Sequence, residues 1–252
     1  MYKFFGAVGI KRLFVVMITG LMLSNIALAQ HTTDDLNLDE NVTPWFLEAI
    51  GIEQTKLISG SYHQIQRGSS ITHQFFKENG WTSTSIIYYG KEFHLSGAMY
   101  DLEFDHILLR HPTQIRLSSQ PIKLHQDKVS FFKIHGHTFR FYNSKDDPPR
   151  GEGFYDELYL GDTVSLIVKR SKEKKVKFNE LTPIYESNDS YFLKYHGEYI
   201  KVNNKRSIFR ILKPYKKDLK KFIRRNGLKI KVGSDHDLVM LLDYFESVIK
   251  AS

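Results

Sequence analysis

The chain of 252 residues has no cysteine. That excludes disulfides, thiolate chemistry of any kind and a lipid-modified N-terminal cysteine. Beyond the first 29 residues no apolar run approaches the roughly 20 residues that a membrane-spanning helix needs, so the mature chain reads as soluble. Catalytic signatures are missing as well. There is no G-x-S-x-G, and Gly68-Ser69-Ser70 lacks the strand and helix context of a nucleophile turn. No Gly-rich phosphate loop is present. Enzymes that depend on these motifs are disfavoured.

What is present begins with an address. Lys3, Lys11 and Arg12 form a positive leader, Leu13 to Leu23 is almost wholly apolar, and Ala27-Leu28-Ala29 supplies small residues for cleavage. This is the pattern of a secretory signal over residues 1–29, which implies export to the periplasm or beyond the cell. A disulfide-free secreted domain depends on its hydrophobic core, and residues 30–252 are enough to build one. The 18 Phe and 14 Tyr suit a β-rich interior.

Short alternating runs separated by Gly-containing turns fill the middle of the chain. In VSFFKIHGHTFRFYN, Val129 to Asn143, Phe132 and Ile134 share one face, and Phe139 and Phe141 share another. Period-2 aromatics around His135-Gly136 describe a hairpin whose glycine supplies positive φ. Tyr89-Gly90, Ser96-Gly97, Gly161-Asp162 and His196-Gly197 read as further turns. They divide Ile86–Tyr89, Glu92–Leu95, Ala98–Leu102, Phe104–Leu109, Gln114–Leu117, Pro121–Leu124, Gly153–Leu160, Thr163–Lys169, Tyr191–Tyr195 and Tyr199–Val202 into strands. Asp146-Asp147-Pro148-Pro149 is a loop, because paired strands do not accept two prolines.

Ahead of the meander, Gln30–Asn41 is a polar, acidic lead-in, and Thr43-Pro44 caps a short helix that ends at Gly51. The period changes after about residue 205. Leu212, Leu219, Phe222 and Ile223 recur at helical spacing between Pro214 and Gly227. Ser234 or Asp235 then caps a last helix with the stripe Leu238, Leu241, Leu242, Phe245, Val248 and Ile249. The expected fold is α+β: an antiparallel β-meander curled into a barrel-like or sandwich-like sheet over about 60–202. A C-terminal helical unit over about 205–250 completes a single domain, residues 30–252.

The blocks GFYDELYLGDTVSLIVKR (Gly153 to Arg170), YFLKYHGEYIKVNNKRSIFRIL (Tyr191 to Leu212) and HDLVMLLDYFE (His236 to Glu246) carry a resemblance. Together with GSY at Gly60 and MYDLEFDHILL at Met99 to Leu109, they resemble a family of secreted Bacteroidota proteins, many of unknown function. The resemblance implies a cell-envelope or secreted setting and a single unit. It assigns no residue a chemical role.

Three arrangements invite chemistry. His135-Gly136-His137 has metal-ligand residue types, but a turn at Gly136 sets the two imidazoles on either side of a reversal, so no metal or cofactor is expected. Asp101, Glu103 and Asp105 would share one strand face, as paired carboxylates or as the acids of an exposed edge. His94, His106, His111 and His125 are dispersed. An exported hydrolase-like enzyme would need these His and Asp/Glu residues to converge, three or more in one concave pocket.

Charge gives the sharpest signal. Net charge is +8, and removing the three leader cations leaves +5 for residues 30–252. Lys201 to Lys231 holds thirteen cations and one acid, net +12, so the remainder is acidic by −7. Lys213, Lys216, Lys217, Lys220, Lys221, Arg224 and Arg225 spread over a broad face of one helix beside a narrower apolar stripe. The expectation is an envelope-associated binding module whose basic helix meets an anionic lipid or polysaccharide surface. The secretory leader argues against nucleic acid as the partner.

Overall fold

Three two-residue turns fix the register of the sheet. Tyr89-Gly90, His135-Gly136 and His196-Gly197 all have positive φ at both positions, at 50° and 75°, 49° and 78°, and 52° and 85°. Positive φ at both central residues is the type I′ geometry, whose twist matches that of the strands it joins. In each case glycine takes the second position without steric cost.

The computed structural model describes residues 60–62, 65, 72–110, 120–176 and 182–250. Their strands are β1 (Ser61–Tyr62), β2 (Thr82–Tyr88), β3 (Lys91–Asp101), β4 (His106–Leu109), β5 (Ile122–Lys123), β6 (Val129–Ile134) and β7 (His137–Tyr142). Next come β8 (Gly153–Leu160), β9 (Val164–Lys169), β10 (Lys172–Lys175), β11 (Ile184–Ser187), β12 (Ser190–Tyr195) and β13 (Glu198–Val202). Three α-helices follow: α1 (Lys205–Ile211), α2 (Lys216–Arg225) and α3 (Asp235–Lys250). The leader, the lead-in Gln30–Asn41, the helix expected at 43–51, the strand at Gln114–Leu117, His111 and Gly68-Ser69-Ser70 lie outside the described residues.

Eleven strands form one antiparallel sheet in the order β1-β5-β4-β3-β2-β6-β7-β8-β9-β12-β13. The fold is therefore α+β, a meander-like sheet followed by three helices. Strands β10 and β11 pair separately, Lys172 opposite Ser187 and Lys175 opposite Ile184.

The sheet bends strongly. The Tyr100 and Phe154 rings, on β3 and β8, lie 6.0 Å apart. Four strand spacings separate them along the sheet, roughly 19 Å if it were flat. The same bend brings the β3–β4 turn onto the far strands. Asp105 accepts from the Phe154 amide at 3.1 Å and from Lys169 Nζ at 2.6 Å. The Lys172 amide donates to the Leu102 carbonyl at 3.2 Å. No ladder joins the sheet edges among the described residues, so the barrel closure allowed by the sequence reading is not found.

Two expectations are corrected here. Ser96-Gly97 is no turn, since β3 runs through it from Lys91 to Asp101. A side chain at Gly97 would press on Arg110, whose amide bonds the Gly97 carbonyl, so the glycine serves close approach between neighbouring backbones. Nor is Phe104–Leu109 a single strand. Residues 102–105 turn, with Asp105 at φ 58°, and β4 starts at His106. Asp101, Glu103 and Asp105 thus do not share a strand face. Asp101 accepts from the Glu103 and Phe104 amides in an Asx-type turn, while Asp105 binds Tyr100, Gln126 and Lys169.

Two apolar clusters line one face of the sheet. The first is largely aromatic and packs Tyr88, Tyr100, Phe132, Phe139 and Phe154 from β2 to β8. The second joins Val164, Leu166 and Val168 of β9 and Tyr191 and Leu193 of β12 to the helices. There α3 buries Leu238, Leu241, Leu242 and Phe245, each burial contributing roughly 1.5–3 kcal/mol. Glu246 of α3 accepts from the Thr163 and Val164 amides, at 2.7 and 2.9 Å, and so pins the β8–β9 turn to the helix.

Candidate functional site

Of the C-terminal cations, Lys205, Arg206 and Arg210 stand on α1 and six more on α2, while Lys213 lies in the turn between the two helices. Asn204 caps α1, accepting from the Arg206 and Ser207 amides while Ser207 Oγ accepts from the Asn204 amide. The chain then makes a 3-10 turn, Lys213–Tyr215, before α2. The end of α2 is closed at Gly227 (φ 64°), with the Leu228 amide donating to the Ile223 carbonyl. Leu219 and Ile223 of α2 are buried, and Phe222 stacks on Tyr244 of α3 at 4.0 Å.

Between α1 and α2 lies an open groove of about 950 Å³. Lys205, Arg206 and Arg210 line it from α1, and Lys213, Lys216 and Lys220 from the second helical segment. Phe209 and Ile230 form an apolar floor, and no acid lines the groove. Lys205 and Lys220 each sit over the Phe209 ring, at 5.6 and 5.9 Å to its centre. All seven cations expected to bind anions are exposed, yet only Lys213, Lys216 and Lys220 reach the groove. At ~100° per residue, Lys216 and Lys220 sit within about 40° of each other beside the buried stripe. Lys217, Lys221, Arg224 and Arg225 lie farther round, on the outer face. Among the described residues, none of these cations has an ion-pair partner.

A second collection of charges has the opposite character. Asp156 lies in a cross-strand row, Phe139–Asp156–Val168–Tyr191, that runs from the aromatic cluster to the helix-covered one. Its Oδ2 accepts from His137 Nδ1 at 2.7 Å and from Arg170 Nε and Nη2 at 2.9 and 2.7 Å. A carboxylate accepts only, so the His137 proton sits on Nδ1. Arg170, 6% exposed, also donates to Asp189 at 2.8 Å, Asp235 at 2.6 Å and the Tyr191 hydroxyl at 2.9 Å. Tyr191 in turn donates to Asp235 at 2.6 Å and accepts from the Gly233 amide.

Burial alone would lower the Arg170 pKa, but Asp156 and the other acidic neighbours outweigh it and raise the pKa above its usual value. Burial, opposed by Arg170 and assisted by Asp235, also raises the Tyr191 pKa. The ligand atoms of His137, Asp156 and Asp235 fall within 4.8 Å of one another, a spacing that a metal ion could use. Arg170 already supplies the positive charge there, bonded to both carboxylates. The arrangement therefore works as a clamp that ties β7, β8, β9, β12 and the start of α3 together.

In the sequence His137 reads as a turn-flanking residue and Asp235 as a candidate helix cap, while Asp156, Arg170 and Asp189 carry no assigned role. A signal existed. Val164, Leu166, Val168 and Arg170 share one phase, as do Phe154 and Asp156, so each charge continues an inward apolar row. The neighbouring cations are also engaged by the fold, since Lys169 pairs with Asp105 and Lys172 donates to the carbonyls of His73 and Phe75.

Of the dispersed histidines, His94, His106 and His125 do not join the clamp. His94 and His135 border a concavity of about 490 Å³ with Ser83, Ser85, Ser96 and Lys133, again without an acid. His106 is on β4 and His125 precedes the short 3-10 turn Gln126–Lys128. No helix among the described residues is long and apolar enough to cross a membrane. No family model, curated protein or solved structure matches the chain.

Proposed function

We propose that the protein is an exported, envelope-associated binding module that holds an anionic surface, lipid or polysaccharide, through its C-terminal cations. One observation carries this reading: six cations line a single groove that has no acid in its walls. Like charges gathered without partners repel one another, and an anionic ligand relieves that repulsion. The leader over residues 1–29 supports export, and the resemblance to secreted Bacteroidota proteins supports an envelope setting.

The test is retention on a sulfated-polysaccharide column and co-sedimentation with vesicles of phosphatidylglycerol and of phosphatidylcholine, across a salt series. Binding to at least one anionic matrix is expected at ~0.05 M salt. It should fade beyond ~0.15 M, where screening shortens the reach of charge to about 8 Å. Retention that ignores salt, or equal binding to the neutral vesicles, would overturn the reading.

A further inference from the structure

Resting on that reading, we infer that the groove between α1 and α2 is a site for one extended chain of an acidic polysaccharide. The outer face of α2 is not the primary site.

The cations stand on both walls. Lys205, Arg206 and Arg210 face Lys213, Lys216 and Lys220 across a floor of Phe209 and Ile230. A bilayer presents a flat layer of headgroups, which the convex outer face of α2 could meet but a two-walled groove could not follow. A single acidic chain can lie between the walls and offer charge to both. Arginine on one wall supplies planar forks for carboxylate or sulfate, while the opposite lysines act as point charges.

The floor argues against single-stranded nucleic acid, which binds with its bases stacked on exposed aromatic rings. Phe209 is 8% exposed and lies under Lys205 and Lys220, so its face is not available for stacking. An acidic sugar chain needs no open aromatic face, because its carboxylates or sulfates can be held by the lining cations alone. At 1.5 Å per residue, the lining stretch from Lys213 to Lys220 spans about 10 Å, and that length limits how much of the chain the groove engages.

Two variants with equal charge change separate the sites. One carries Arg206→Gln, Arg210→Gln, Lys216→Gln and Lys220→Gln; the other carries Lys217→Gln, Lys221→Gln, Arg224→Gln and Arg225→Gln. Each is checked for its fold by circular dichroism, then titrated with galacturonate oligomers of increasing length and with phosphatidylglycerol vesicles. Four cations at about fivefold each predict a loss on the order of a hundredfold or more in oligomer affinity for the groove variant, and less than tenfold for the outer one. Affinity should rise with oligomer length and level off once the extended chain passes about 10 Å.

Equal losses in both variants, or vesicle binding alone, would overturn the groove inference and leave the anionic-surface reading standing. The absence of binding to every anionic matrix would overturn both. If the fourfold groove variant fails to fold, Lys216→Gln with Lys220→Gln is compared with Lys217→Gln and Lys221→Gln, and the same contrast applies.

Discussion

Two groups of charges in this protein obey opposite rules. Around Arg170 the carboxylates of Asp156, Asp189 and Asp235 all lie within 2.9 Å of the guanidinium, largely away from water. In the groove, five exposed cations and the half-buried Lys205 stand with no acid among the lining residues. Burial makes an unpaired charge expensive, so each carboxylate of the first group is bonded to the shared guanidinium of Arg170. Exposure makes an unpaired charge cheap, so the second group is free to meet a partner from outside. Density of charged residues is thus a poor guide to function until burial is known.

The comparison would break first at Arg170. Arg170→Met keeps much of the side chain's bulk and leaves three carboxylates facing one another without their counter-charge. The expected loss is about 3–5 kcal/mol, the usual range for removing one partner from a buried ionic group. Denaturant unfolding measures it. Adding Asp156→Asn to that variant should restore part of the loss, because one stranded charge is removed. An Arg170→Met protein as stable as the parent would mean that the clamp does not hold the helices to the sheet.

A smaller effect sharpens the contrast among buried carboxylates. Asp101 is fully buried, and burial, partly offset by the Phe104 and Glu103 amides, raises its pKa from 3.8 to about 6. The folded state therefore holds the Asp101 proton more tightly than the unfolded one. Its contribution favours folding below pH 3.8 and is lost as the pH rises through about 6. Asp101→Asn retains an oxygen for the two amides and has no proton to lose. The stability of the variant relative to the parent should increase from pH 3.8 to about 6 and stay level above, by up to about 3 kcal/mol from the pKa difference. Thermal melts across that range test it, and a difference independent of pH would contradict it.

Much of the sheet was legible because hairpins are local. The I′ turns at Gly90, Gly136 and Gly197, the aromatic alternation of β6 and β7, and the α3 stripe each depend on residues a few positions apart. Ser96-Gly97 misled because the same residue type serves turns and close backbone approach, and only the Arg110 neighbour decides between them. The clamp was not legible as a unit, since Arg170 meets partners 14, 19, 21 and 65 residues away. The groove was half legible. Its α2 wall follows from helical spacing, but its α1 wall requires knowing that Asn204 starts a separate helix that turns back beside the second.

The smallest expected effect concerns the stability of the groove itself. Lys216→Gln with Lys220→Gln removes two exposed cations that sit one helical turn apart. Like charges at i and i+4 destabilise a helix by about 0.2–0.5 kcal/mol, and glutamine has nearly the helix propensity of lysine. Lys220 also loses its position over the Phe209 ring, an exposed cation–π contact worth about 0.5–1 kcal/mol. The two effects oppose each other, so the net change in stability should fall within about 0.5 kcal/mol at ~0.15 M salt. Lowering the salt strengthens the repulsion in the parent and should move the balance toward the variant. Urea unfolding of both proteins at low and moderate salt decides the matter. A loss comparable to that of Arg170→Met would mean that the groove lysines hold the fold together, and the contrast between the two groups of charges would fail.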